Sequence, residues 1–123
     1  MGAKVVADKH RGSVVYFHVM ALLIKAAEAG KTVTYQQVAD IMRLPPTGNH
    51  TGKETGHLLG EISEDEHLRG RPFLSAVAIN NEAVPGSGFE KLTLAVGKMQ
   101  HNDDYRKFWK EELHAVFEVW QGR

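Results

Sequence analysis

Apolar positions change their spacing along the chain, and each change marks an element. Val14, Val15, Phe17, His18, Ala21, Leu22, Ile24 and Lys25 read as a helix that Ser13 caps and Gly30 closes. After the Gly30-Lys31 turn comes a short extended Thr32-Val33. Thr34 and Gln37 then have the spacing of a capping box, with Val38, Ala39, Ile41 and Met42 on the inner side of a second helix from about Tyr35 to Arg43. Pro45 and Pro46 are expected to end it, since neither has an amide hydrogen and each biases its predecessor away from helical angles.

From Thr47 to Gly60 small, polar and glycine residues alternate, which predicts a loop leading into a third helix that begins near Gly52 or Lys53. Leu58, Leu59 and Ile62 form its apolar stripe. Ser63 and Glu66 repeat the capping-box spacing, so an extra helical turn is expected from Glu64 to Leu68, ended by Gly70. Phe73 to Ile79 is short, apolar and bounded by Pro72 and Asn80-Asn81, the signature of a buried strand. Val84 to Phe89 reads as a turn, Phe89 to Val96 as a short helix ending at Gly97, and Gly97 to Asn102 as a linker. Asn102 or Asp103 caps a last helix, residues 102–121, with Tyr105, Phe108, Trp109, Leu113, Val116, Phe117 and Trp120 on one face. That face predicts packing on the same core or docking against a second copy.

This order predicts an α+β, mostly helical chain: one winged-helix-like helix-turn-helix domain over residues 1–123, with a short strand or wing and a C-terminal amphipathic helix. The length of 123 residues suits one core. With 42% hydrophobic and 24% charged residues the chain is globular in composition, and no apolar run approaches the ~18 residues of a membrane span. No membrane association is expected, and the N-terminus lacks the regions of a secretory signal, so a cytoplasmic location is expected. The absence of cysteine excludes disulfides, thiolate metal sites and thiol catalysis.

Fifteen basic and fifteen acidic side chains cancel, which argues against a DNA binder that relies on a gross basic excess. Distribution qualifies the sum. Residues 1–12 form a candidate basic arm through Lys4, Lys9, His10 and Arg11, whereas Glu61, Glu64, Asp65 and Glu66 are expected to point to water. The seven histidines stand singly, without the spacing of a metal motif, and no metal or cofactor is expected. Gly52-Lys53 sits in a glycine-rich segment, but Glu54 follows the lysine and no buried strand precedes it, which rejects a phosphate loop. Ser75 has no nucleophile elbow or Ser-x-x-Lys pattern around it, so no enzymatic activity is expected.

Lys31-Thr32-Val33-Thr34-Tyr35-Gln36-Gln37-Val38-Ala39 resembles the opening of the DNA-binding domain of the O6-alkylguanine DNA alkyltransferases and their alkyltransferase-like relatives. The resemblance runs over roughly half the chain. Thr34-Tyr35 looks like that family's pair at the first helix of its helix-turn-helix, which implies a phosphate-side role for Tyr35. Leu58-Leu59-Gly60 looks like the Ala-Val-Gly of its recognition helix, with His57 where the family has an arginine. Pro72-Phe73-Leu74-Ser75-Ala76-Val77 stands where the family has Pro-Cys-His-Arg-Val, so the reactive cysteine is missing. Pro85-Gly86-Ser87-Gly88-Phe89 looks like the family's glycine-rich turn, whose amides, with Ser87, suit an anion.

The expected function is a noncatalytic module that binds double-stranded DNA, with Lys9, Arg11, Tyr35, Gln36, Gln37, His50, Thr51, Lys53, His57 and Ser87 at the interface. The alternative is a protein-interaction module on the same scaffold, including a homodimer through Trp109, Phe117 and Trp120.

Overall fold

The structure is a computed structural model and describes residues 4–45 and 48–122. Pro46, Thr47 and the first three residues of the expected arm lie outside the described residues. The chain is mostly helical, with α1 (Val14–Ala29), α2 (Tyr35–Ile41), α3 (Asn49–Leu68), α4 (Ser87–Ala95) and α5 (Tyr105–Gln121). Strands β1 (Val33–Thr34) and β2 (Ala78–Ile79) pair in parallel, Val33 with Ala78 and Thr34 with Ile79.

Local chemistry sets the first two helices. The Ser13 hydroxyl accepts the Tyr16 amide at 3.2 Å. α1 then buries Tyr16, Val19, Leu23, Ala26 and Ala27, a three- and four-residue spacing that turns one face inward. Burial of Leu23 alone contributes about 2 kcal/mol. α1 is the central helix and packs against α2, α3, α5 and the segment preceding β2. The Thr34–Gln37 capping box is complete, with the Gln37 amide on the Thr34 hydroxyl at 3.1 Å and the Thr34 amide on the Gln37 side chain at 2.9 Å.

Four helices end in the same way. The amide two residues past the last turn donates back to a carbonyl five residues earlier: Lys31 to Ala26, Leu44 to Ala39, Arg71 to Glu66 and Lys98 to Thr93. The residue in between is left-handed, and it is Gly30, Arg43, Gly70 and Gly97 respectively. α2 therefore stops at a left-handed Arg43, with φ of 59°, before Pro45 is reached.

Several expectations need correction. α3 begins at Asn49 and runs unbroken to Leu68, absorbing both the expected loop and the separate turn. Ser63 and Glu66 do not cap a new helix: the Ser63 hydroxyl donates to Ser75 at 2.6 Å, and Glu66 binds Arg71 through both oxygens at 2.7 Å. The run from Phe73 to Ile79 is mainly a 3-10 turn over Leu74–Val77, with strand only at Ala78–Ile79. α5 supplies the partners that a sheet would have supplied, for Glu112 accepts the Phe73 amide at 2.8 Å and the Trp109 indole donates to the Ala76 carbonyl at 2.9 Å.

Asp104, not Asn102 or Asp103, caps α5 by accepting the Lys107 amide. The expected linker is tied down by buried Met99 and by a Lys98–Glu112 ion pair. Trp109 and Val116 of the aromatic face are buried against α1 and the 3-10 turn, within the chain's own core. Among the described residues no helix is long and apolar enough to cross a membrane.

Candidate functional site

Three of the four acids expected to point to water are buried instead. Glu61 and Glu66 are fully buried and Glu64 is 2% exposed. Glu61 accepts the amides of Lys9, His10 and Arg11 at 2.8 to 3.1 Å, and Glu64 accepts those of Val5 and Val6. The Arg11 guanidinium joins Glu64 at 2.6 Å and Asp65 at 2.9 Å, and Asp65 also accepts the Tyr16 hydroxyl at 2.6 Å. Backbone donors and one guanidinium thus compensate carboxylates that burial would otherwise penalise. The same contacts hold the expected basic arm against α3: Arg11 pairs with Asp8, Glu64 and Asp65, and the Lys9 ammonium binds Glu54.

This pinned N-terminal strap forms one wall of a cleft of about 710 Å³. Its floor is the face of α3 that carries Gly52, Gly56 and Gly60, spaced by four residues. Val6 packs on Gly60, but among the described residues a Cβ at Gly52 or Gly56 would meet nothing within 4 Å beyond its chain neighbours and its own helix backbone. Each interior helical glycine costs about 1 kcal/mol relative to alanine. Packing does not require that sacrifice at positions 52 and 56; its effect is to keep the cleft deep.

The opposite wall is the start of α4, with Gly86, Ser87, Gly88, Lys91, Leu92 and Ala95. No side chain caps α4, and the acid of its first turn, Glu90, does not line the cleft. Tyr35 closes the end of the cleft. The Gly86 amide donates to its hydroxyl at 2.9 Å, and burial holds that hydroxyl above its ordinary pKa, so it keeps its proton. Lys53 and Lys91 are exposed at the rim, and among the described residues no carboxylate lines the cleft.

A smaller recess of about 330 Å³ adjoins it, sharing Tyr35, Gly48 and Gly52 and lined also by Gln36, Thr51, Thr55, Asn80 and Asn81. Among the described residues the Thr55 hydroxyl is buried there without a hydrogen-bond partner.

The cleft therefore brings together Tyr35, Lys53, His57 and Ser87, with Gln36 and Thr51 in the recess. His50 is exposed at the start of α3, while Gln37 is occupied by its capping box. His57 does more for the strap than for the opening: its Nε2 donates to the Ala7 carbonyl at 2.8 Å, because a carbonyl can only accept. Lys91 and the glycine floor were missed by sequence reasoning, although the four-residue spacing of Gly52, Gly56 and Gly60 was the available signal. Ser75 is 5% exposed and bonded to Ser63, which removes it from any open site. Among the described residues no group of three or more acids and histidines is placed to hold a metal ion.

No family model, curated protein or solved structure matches the chain.

Proposed function

We propose that the chain is a noncatalytic DNA-binding module of winged-helix-like type, with α2 and α3 as its helix-turn-helix and the glycine-floored cleft as the seat of a backbone phosphate. The carrying observation is the cleft itself: about 710 Å³, lined by no carboxylate among the described residues, rimmed by Lys53 and Lys91, and walled by the uncapped start of α4. Phosphate oxygens suit that set, since they accept from ammonium groups, from backbone amides at a helix start and from the Tyr35 hydroxyl.

The neutral net charge neither supports nor opposes this reading. Glu64, Glu66 and Glu112 are buried but each is paired with a cation, and only Glu61 takes backbone amides as its closest donors. The field at the cleft is set by its rim. The order of elements from Thr34 to Phe89 and the Thr34-Tyr35 pair add the alkyltransferase-like resemblance, and the lack of cysteine supports binding without alkyl transfer.

A second reading rests on the same floor, because a face with glycine at every fourth residue also admits the close approach of a partner helix or backbone. Fluorescence anisotropy on a random duplex across a salt series separates the two. A steep loss of affinity with salt marks phosphate contacts, and absence of binding at about 50 mM salt favours the protein partner.

A further inference from the structure

Arg43 is the exception among the four matching helix ends. The left-handed position is glycine in α1, α3 and α4, where the missing Cβ removes the steric penalty, and arginine only in α2. A non-glycine residue held there is strained, and such strain persists where surrounding contacts enforce it. Two bonds enforce it here: the Leu44 amide donates to the Ala39 carbonyl at 3.0 Å, and the Thr51 hydroxyl on α3 donates to the Pro45 carbonyl at 2.8 Å. The backbone of residues 43–45 is therefore held from both α2 and α3, and Arg43 projects from it.

Its side chain, like that of the exposed Arg106 on α5, differs from three other arginines of the chain. Arg11, Arg69 and Arg71 are each paired with buried or half-buried carboxylates. Arg43 is exposed, and among the described residues its guanidinium has no ion pair or hydrogen bond. Among the described residues nothing rewards arginine over glycine at this position. A ligand outside the chain would, and a planar, permanently charged fork suits a phosphodiester.

We infer that Arg43 is a phosphate-contacting residue at the corner of the helix-turn-helix, retained at the expense of backbone strain because it binds the DNA backbone. This rests on the DNA-binding reading above, and extends the interface from the cleft to the far end of α2.

Three variants test it on the full chain, with a random fluorescent duplex as the probe. Arg43→Gly should melt at a higher temperature than the parent, because strain is relieved, yet bind several-fold more weakly with a salt slope shallower by about 1. Arg43→Ala should lose the same affinity with no gain in melting temperature, since alanine is strained there as well. Arg43→Lys should keep most of the salt dependence. Parent binding with an unchanged affinity in Arg43→Gly overturns this inference alone, whereas a parent that binds no duplex at low salt overturns it together with the reading it rests on.

Discussion

The Tyr35 hydroxyl and Gly86 fit each other too closely for any side chain at position 86: the amide donates at 2.9 Å, and a Cβ would stand 2.7 Å from the same oxygen. This contact joins the start of α2 to the start of α4 and sets the end wall of the cleft. Gly86→Ala should displace the ring and destabilise the fold by about 1–3 kcal/mol. Tyr35→Phe leaves the Gly86 amide without its acceptor and should cost about 1–2 kcal/mol. Urea denaturation of both variants measures this, and a cost near zero for Gly86→Ala would show that the ring moves freely.

Gly52→Ala and Gly56→Ala should act in opposite directions on stability and binding. Among the described residues neither methyl meets anything beyond its own helix, so each should stabilise α3 by about 0.5–1 kcal/mol. Each also fills the cleft floor and should weaken DNA binding. The denaturation midpoint and the duplex affinity, measured on the same samples, check the pair of effects. Stabilisation without loss of affinity would remove the cleft from the interface.

The strap depends on Glu61. Glu61→Ala strips the acceptor from the amides of Lys9, His10 and Arg11 and should destabilise the fold by about 3 kcal/mol. Amide hydrogen exchange should rise first at residues 5–11, ahead of the α1 core. Uniform loss of protection would instead mean that the strap unfolds only with the whole domain.

Alkaline pH should unfold the protein through its tyrosines. Burial pushes Tyr16, Tyr35 and Tyr105 above their ordinary value near 10, with the Asp65 carboxylate adding to the effect at Tyr16 and Glu90 at Tyr105. In the unfolded chain these phenols ionise first, so the folded state holds more protons above that pH and stability falls as pH rises. The contribution is fully present below pH 10. A spectrophotometric titration should show tyrosinate appearing together with unfolding. A tyrosine that ionises near pH 10 in the folded protein would contradict the packing described for it.

The parts of the fold that local chemistry determines were legible in the sequence. Ser13, Gly30 and the Thr34–Gln37 box act on neighbours within a few residues, and α1 and α2 begin where those residues indicate. α3 was obscured because its glycines lower helix propensity, and their role lies in the cleft opposite them. The Phe73–Ile79 run is buried whether strand or 3-10 turn, and its backbone partners Glu112 and Trp109 are more than thirty residues away. Glu61 and Glu64 read as solvated because their donors lie some fifty residues earlier. Tyr35, Lys53, His57 and Ser87 were legible as site candidates, while Lys91 was not, since only the packing of α4 against α3 brings it to the rim.

The central claim is that phosphate is held at the rim of the cleft, and the most direct measurement compares the parent with Lys53→Gln/Lys91→Gln on a random duplex across a salt series. The account predicts that the parent binds with a clear negative dependence on salt, and that the double variant binds more weakly with a slope shallower by up to about 2. Equal slopes in parent and variant, or no binding by the parent at low salt, would contradict it.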